Sequence, residues 1–304
     1  MDAGGATTSA DGRGDRAVDA FVTHRNLLFT VAYEMLGSAA DAEDVLQETW
    51  LRWADADLAA VRDQRAYLVR ITTRLSLNRL RAVGRRRESY VGSWLPEPLL
   101  TAPDVADDVE LAESVSMAML LVLETLAPTE RAVFVLREVF DLGYDEIAEA
   151  VDKSPAAVRQ IAHRARAHVA ARRPRGMVSA ADTRRALDAF RRAVETGDVQ
   201  GLLDVLAPDV VLLGDGGGIK QAVLRPVAGA DKVARLLCST HARTATMSLH
   251  PTQVNGHPAL ILRLDGAVDT VLALRIDDGL ISGVYAVRNP EKLSHMRRAT
   301  TLRR

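Results

Sequence analysis

Tyr144-Asp-Glu-Ile-Ala-Glu-Ala-Val-Asp-Lys-Ser-Pro-Ala-Ala-Val-Arg-Gln-Ile-Ala-His-Arg164 decides how this chain is read. Ile147, Ala148 and Val151 recur at helical spacing, so Tyr144–Val151 is predicted as a short helix with one apolar face. Asp152-Lys153 supplies a turn. Ser154 is a strong N-cap and Pro155 suits the first helical position, so a second helix starts there. Val158 and Ile161 continue the apolar face. Arg159, Gln160, His163, Arg164 and Arg166 fall on the other side. This is the pattern of a helix-turn-helix. Arg and Gln near the start of a recognition helix can make bidentate contacts with base edges, and arginines further along can hold phosphates. Any amphipathic helical hairpin shares the apolar spacing, so the charge distribution must separate the two readings.

The formal net charge is -1, yet the charge is strongly segregated. Residues 62–87 carry nine arginines and one aspartate, and residues 153–175 carry seven basic and no acidic side chains. The flanking stretches 1–61 and 88–152 are strongly acidic. Two compact basic islands in an acidic background point to two contacts with a polyanion, and the second coincides with the helix-turn-helix. The single cysteine, Cys238, excludes an internal disulfide and fits a reducing compartment. No Cys/His cluster has metal-ligand spacing, and neither a metal nor a cofactor is expected. The apolar runs fall short of the roughly 20 residues that span a bilayer. The N-terminal residues lack the pattern of a signal peptide, so a cytoplasmic protein is expected.

Working outward, residues 20–87 read as three helices. The first buries Leu27, Leu28, Val31, Ala32, Met35 and Leu36 and ends at Gly37. Ser38 and Asp41 resemble a capping box for the second, whose apolar face is Val45, Leu46, Thr49, Trp50 and Trp53. The third runs over about Asp63–Val83, with Leu68, Ile71 and Leu75 inward, and Gly84 is expected to break it. Residues 88–113 hold Pro96, Pro98 and Pro103 and read as a linker. Beyond residue 180, a helix around Thr183–Thr196 precedes β-rich runs at Val210–Leu213, Ala259–Leu264, Thr270–Ile276 and Leu280–Val287. Asp265-Gly266 and Asp277-Asp278-Gly279 are hairpin-turn signals. The fold class expected is multidomain: two all-α domains, the second a helix-turn-helix, joined by a Pro-containing linker and followed by an α+β domain. The boundaries are a disordered tail to residue 17, a first domain 18–88, a linker 89–113, a second domain 114–174, an α+β domain 180–294 and a basic tail 295–304.

The second helix of the first domain, Asp41-Ala-Glu-Asp-Val-Leu-Gln-Glu-Thr-Trp-Leu-Arg52, is acidic and would repel DNA, so its polar stripe suits a protein partner. This stretch resembles the polymerase-binding signature of the extracytoplasmic-function sigma factors. Ala66-Tyr67-Leu68, Asn78-Arg79-Leu80-Arg81 and Gly84-Arg85-Arg86-Arg87 resemble the part of that family that reads and melts the −10 element. Leu126-Ala-Pro-Thr-Glu-Arg131 and the helix-turn-helix resemble its −35 reader. The resemblance implies that Asp41, Asp44, Gln47, Glu48 and Arg52 bind the clamp helices of the polymerase β′ subunit, and that the second domain meets the β flap. It implies that Asn78 captures a flipped −10 base while Arg70, Arg74, Arg79, Arg81, Arg85 and Arg86 hold −10 DNA. Arg159, Gln160, His163, Arg164 and Arg166 would then meet the −35 element, with His163 standing where many members carry an aromatic. Opening a promoter needs binding energy rather than a catalytic group, so the chain is not expected to be an enzyme.

Trp94-Leu-Pro-Glu-Pro98 resembles the linker of one sigma-factor group, the SigJ-like members with a SnoaL-like C-terminal extension. Asp215-Gly-Gly-Gly218 and Asn289-Pro-Glu-Lys-Leu293 resemble two more of its motifs, with Ile219 where lysine is usual and Lys220 one place later. The resemblance implies a cone of curved sheet and helices that regulates the sigma domains in cis. Trp94, Pro96, Glu97, Asp215, Gly216, Gly217, Gly218, Asn289, Pro290 and Lys292 are its expected interdomain contacts. A free monomer is expected, with room in the cone for an unidentified small ligand. Related cone enzymes use Asp and His, which makes Asp215, His241, Asp265 and Asp269 candidates, but no spacing sets a carboxylate against a histidine. Two other readings compete: a one-component ligand-sensing DNA-binding regulator, and an enzyme fused to a DNA-binding part.

Overall fold

The computed structural model describes residues 8–87, 90–101, 109–172, 179–241, 247–294, 296 and 300–303. Helices and strands are numbered in chain order. The chain divides into two compact units. The first takes residues 1–84, 126–170 and 302–304; the second takes 85–125 and 171–301.

In the first unit, α1 (Thr8–Leu36) and α2 (Ala39–Ala54) pack side by side, followed by α3 (Gln64–Arg87). Gly37 turns the chain with φ 66°, and the Ser38 hydroxyl accepts the Asp41 N–H at 3.1 Å, as the capping pattern predicts. The core holds Leu28, Val31, Met35, Val45, Leu46, Trp53 and Leu68. Two expectations change here. Helix α1 begins at Thr8, so the tail expected to be disordered to residue 17 is helical from there; Ala17 is buried and its carbonyl accepts the Trp53 indole N–H at 2.9 Å. Helix α3 also runs through Gly84 to Arg87. One interior glycine costs only ~1 kcal/mol, which does not stop a helix anchored by buried Leu75, Leu77 and Leu80.

The same unit contains α6 (Pro128–Phe134), a short π-helical continuation Val135–Val139, α7 (Tyr144–Val151) and α8 (Pro155–Ala170). Asp152 turns the chain in the left-handed region at φ 57°, and the Ser154 hydroxyl accepts the Ala157 N–H at 3.2 Å. Ile147, Val151, Val158 and Ala162 are buried. The helix-turn-helix therefore forms with the ends its capping residues dictate.

In the second unit, α4 (Val109–Val115) and α5 (Met117–Leu123) precede α9 (Ala180–Thr196), α10 (Val199–Leu203) and α11 (Ala230–His241). The strands are β1 (Leu206–Asp215), β2 (Val227–Ala228), β3 (Met247–Val254), β4 (His257–Leu264), β5 (Ala267–Asp277) and β6 (Leu280–Val287). They form one mixed sheet in the order β2-β1-β6-β5-β4-β3, with β1 parallel to β6 and the other pairs antiparallel. Strand alternation sends Val210, Leu212, Leu260, Leu272 and Val284 to one face, where they pack with Phe190, Val194 and Val233. The opposite face carries Leu213, Ala273, Tyr285 and Val287 against Leu95 and Met117.

Both hairpin signals hold: Asp265, Gly266, Asp278 and Gly279 all have positive φ. Strand β3 was not among the expected runs; it carries Pro251 and lies on the sheet edge, where the missing N–H is tolerated. Residues 114–125, expected with the helix-turn-helix, make their contacts in the second unit. Leu302, expected in a basic tail, is buried, and the Arg303 N–H donates to Thr30 Oγ1 at 3.1 Å in the first unit.

Candidate polymerase, DNA and linker sites

On α2, Asp44, Gln47, Glu48, Leu51 and Arg52 are exposed along one side, while Asp41 is half-buried. Arg52 pairs with Glu48 at 2.7 Å. Leu51, 63 % exposed, is an apolar member of this surface that charge patterning passed over. It falls outside the core period, which was its one visible signal.

On α3, Arg74, Asn78 and Arg81 are exposed and Arg70 is half-buried, at spacings that put all four on one side. The side chains of Arg85 and Arg86 lie outside the described residues. Arg79 departs from the expected DNA-facing set. Its Nε lies 2.7 Å from Asp41 and its Nη2 2.5 Å from Asp44. Burial alone would lower its pKa, but the two carboxylates outweigh that and raise it. Arg79 thus ties α3 to α2, and its charge is already balanced within the unit.

On α8, Arg159, Gln160, His163, Arg164 and Arg166 are all exposed. Tyr144 organises part of this face. The Arg137 and Arg159 guanidinium carbons lie 5.1 and 5.7 Å from its ring centroid, and Arg166 Nη2 donates to its hydroxyl at 3.4 Å. Aromatic–guanidinium stacking of this kind fixes the direction of an arginine fork. Arg164 and Arg166 also lie 3.7 and 3.4 Å from Glu130 and Glu138.

The second unit concentrates its polar contacts where the linker meets the sheet. Asp215, at the end of β1, is fully buried. Its Oδ1 accepts from the Tyr90 hydroxyl at 2.6 Å and the Gly217 N–H at 3.0 Å. Its Oδ2 accepts from the Leu95 N–H at 2.9 Å and Lys292 Nζ at 2.7 Å. Lys292 also donates to the Leu95 carbonyl at 2.5 Å, and its ammonium stands 4.2 Å from the Trp94 ring centroid and 5.0 Å from that of Tyr90. Asn289 Nδ2 donates to the Tyr90 hydroxyl at 3.0 Å. Burial, then donation to Asp215, push the Tyr90 phenol well above its ordinary pKa.

The three glycines follow from this crowding. A Cβ at Gly216 would stand 1.9 Å from the Lys220 carbonyl, and one at Gly217, which has φ 64°, would stand 2.3 Å from Asn289 Nδ2. Pro96 and Glu97 are buried in the same linker, and Pro290 is exposed.

Further along the linker, the Asn255-Gly256 turn between β3 and β4 takes hold of it. Asn255 Oδ1 accepts the Leu99 N–H at 3.0 Å, its Nδ2 donates to the Val115 carbonyl at 2.9 Å, and the Gly256 N–H donates to Thr101 Oγ1 at 3.0 Å. His257 Nε2 lies 3.0 Å from the Ala112 carbonyl. Tyr90, Asn255, Thr101 and His257 were not among the expected contacts. Asn255-Gly256 is itself a hairpin dipeptide, which was the available signal.

Of the remaining candidates, Asp269 sits in a separate charged cluster. Asp269 meets Lys220 at 2.7 Å and Arg288 at 2.9 Å. Burial would raise its pKa, but Lys220, Thr270 and Arg288 outweigh it and hold the carboxyl below its usual range. The lysine displaced by one place in the motif thus has a partner. Asp265 is exposed in the β4–β5 turn, and the side chain of His241 lies outside the described residues. An open cavity of about 250 Å³ lies between α5 and the outer sheet face, lined by Leu121, Leu213, Arg275 and Tyr285 among others. Among the described residues, no cluster of His, Cys, Asp or Glu is arranged to hold a metal, and no helix is long and apolar enough to cross a membrane.

Comparison with known proteins agrees with this layout. Sigma-70 region 2 matches residues 20–86, and Sigma-70, region 4 matches residues 116–169. The probable ECF RNA polymerase sigma factor SigI of Mycobacterium tuberculosis is 34% identical over 281 residues, 91% of this chain and 95% of its own length. The ECF RNA polymerase sigma factor SigJ of the same species is 34% identical over 292 residues, 91% of this chain and 93% of its own length. This chain belongs to the extracytoplasmic-function sigma factors. The crystal structure of M. tuberculosis SigJ matches the sigma factor at 33% identity and a TM-score of 0.74, covering 91% of this chain and 98% of that one.

Family membership makes the core polymerase and promoter DNA the partners of this sigma factor, and transcription initiation its role. It also sharpens one structural point. The region 4 match starts at residue 116, so α5 is the leading helix of region 4, yet α5 packs on the outer face of the C-terminal sheet. The leading helix of region 4 and the linker are therefore both held by the α+β domain.

Proposed function

We propose that the α+β domain controls this sigma factor in cis by holding the linker between regions 2 and 4. Support comes from one observation above the rest: buried Asp215 receives four hydrogen bonds, two from linker residues Tyr90 and Leu95 and one from Lys292. In this reading Trp94, Pro96, Glu97, Asp215, Gly216, Gly217, Gly218, Asn289 and Lys292 form a latch, while exposed Pro290 only shapes the turn. The stripe Asp44, Gln47, Glu48 and Arg52 docks on the β′ clamp helices, with Asp41 and Arg79 bracing it from behind. Arg70, Arg74, Asn78 and Arg81, continued by Arg85 and Arg86, meet −10 DNA, and Asn78 takes a flipped base. Arg159, Gln160, His163, Arg164 and Arg166 meet the −35 element, while region 4 also meets the β flap. The free protein works as a cytosolic monomer.

The saturation of Asp215 and Asp269 by donors disfavours acid–base catalysis by either. The test is in vitro transcription by core polymerase with the full-length protein, the Lys292→Met variant and a chain ending before Asn289, followed by start-site mapping. The reading expects specific starts from the full-length protein and an altered yield from both changed chains. An unaltered yield from both would refute control through the latch.

A further inference from the structure

We infer that Glu149, on the supporting helix of the helix-turn-helix, is a built-in cover for the DNA-binding arginines of region 2. The inference rests on the reading that Arg70 and Arg74 meet −10 DNA. These two arginines stand one turn apart on α3. Arg70 lies 5.0 Å over the Tyr67 ring, and its Nη1 is 3.1 Å from Glu149 Oε2. Arg74 Nη2 donates to the Glu149 backbone carbonyl at 2.8 Å. Glu149 is two residues from the end of α7, where helix carbonyls carry the negative pole of the dipole. It therefore presents two acceptors, a carboxylate and an end-of-helix carbonyl, to two neighbouring guanidinium groups. A DNA phosphate offers the same kind of acceptor, and both cannot occupy one fork.

The contact is braced from within. Arg131 of α6 and Glu34 of α1 are both buried, and Arg131 Nε donates to the Glu34 carbonyl at 2.9 Å. Burial pushes the Arg131 guanidinium down to about 9, against the pull of Glu34, which leaves it charged at neutral pH. A promoter requires a different arrangement. Elements centred near −10 and −35 lie about 25 base pairs apart, roughly 85 Å at 3.4 Å per pair. Helices touching each other through Glu149 cannot reach both. The chain must break this contact to occupy a promoter, and until it does, the forks of two promoter-facing arginines are occupied by the second DNA-binding element, one by a carboxylate and one by a backbone carbonyl.

The experiment uses the full-length protein and a fluorescein-labelled 20-nucleotide mixed-sequence single strand, read by anisotropy at low salt. Glu149→Gln is expected to tighten binding by about two- to five-fold, the range for releasing one exposed ion pair. Asp145→Asn, a charge removed one turn earlier on the same helix at a residue with no ion pair to Arg70, is expected to change it less. Arg70→Ala is expected to weaken binding, and adding Glu149→Gln to Arg70→Ala should bring no gain. If Arg70→Ala weakens binding but Glu149→Gln changes nothing, or no more than Asp145→Asn, the cover is refuted and the DNA reading stands. If Arg70→Ala has no effect, the DNA reading of Arg70 fails and takes the proposed function of the cover with it. The contact itself is read without DNA, by phenylglyoxal labelling and mass spectrometry. Glu149→Gln should at least double the labelling rate of Arg70, and an unchanged rate overturns the inference.

Discussion

Lys292→Met tests the linker latch most directly. The side chains of Lys292 and Asp215 are 8% and 0% exposed, and Nζ stands 2.7 Å from Oδ2. Removing one partner of a buried ion pair costs ~3–5 kcal/mol, because the other charge stays buried without compensation. Tyr90, Leu95 and Gly217 continue to donate to Asp215, which favours the lower end, ~3 kcal/mol. A unit of this size moves by roughly 2–4 °C per kcal/mol, so its melting transition should fall by about 6–12 °C. Calorimetry of the full chain measures it, with Lys232→Met as an exposed-lysine control expected to shift little. The double variant Asp215→Asn/Lys292→Met removes both charges, so it should cost less than the sum of the singles by about 1 kcal/mol or more. A Lys292→Met shift below about 2 °C, or strictly additive singles, would refute the argument.

Three other outcomes follow from the same geometry. Glu48→Lys should weaken core polymerase binding several-fold in a pull-down or anisotropy titration, while leaving stability within ~0.5 kcal/mol, as for an exposed site. His257 is held neutral: burial lowers its pKa from 6.5, against the pull of the Ala112 carbonyl and Glu113. The unfolded chain then binds the extra proton first, so this group's stabilisation is complete above pH 6.5 and is lost as pH falls below it. His257→Gln should flatten the decline of the urea midpoint between pH 7 and 5. Gly217→Ala forces a side chain into a left-handed residue with Asn289 Nδ2 2.3 Å from its Cβ; denaturant unfolding should show a loss of ~1–3 kcal/mol.

The elements legible from sequence were those whose determinants are local. Ser154 and Pro155 fixed the start of α8, and Asp152 alone supplied the left-handed turn before it. The α2 stripe was equally legible, because Asp44, Gln47 and Glu48 repeat at one helix period. Misreadings arose where tertiary contacts overrode local preference. Buried leucines carried α3 past Gly84, the Trp53 indole fixed α1 at Ala17, and the sheet edge accepted Pro251. Arg79 looked like its neighbours along the chain. Only the packing of α2 on α3 gave it two carboxylates.

Asp215 shows why the C-terminal site was the least legible. Its residue type suited an acid catalyst, a metal ligand or a structural anchor. The choice was made by donors 77, 120 and 125 positions away in the chain. Those donors also make the latch mechanically consequential. The linker leaves α3 at Arg87 and is held from Tyr90 onward; α5 ends at Leu123, and region 4 resumes at Pro128. Released, residues 88–115, up to the start of region 4, could extend to roughly 90 Å at ~3.3 Å per residue. That exceeds the roughly 85 Å between promoter elements. On the proposed reading, holding the linker withholds that reach and releasing it restores the separation of regions 2 and 4 that a promoter requires.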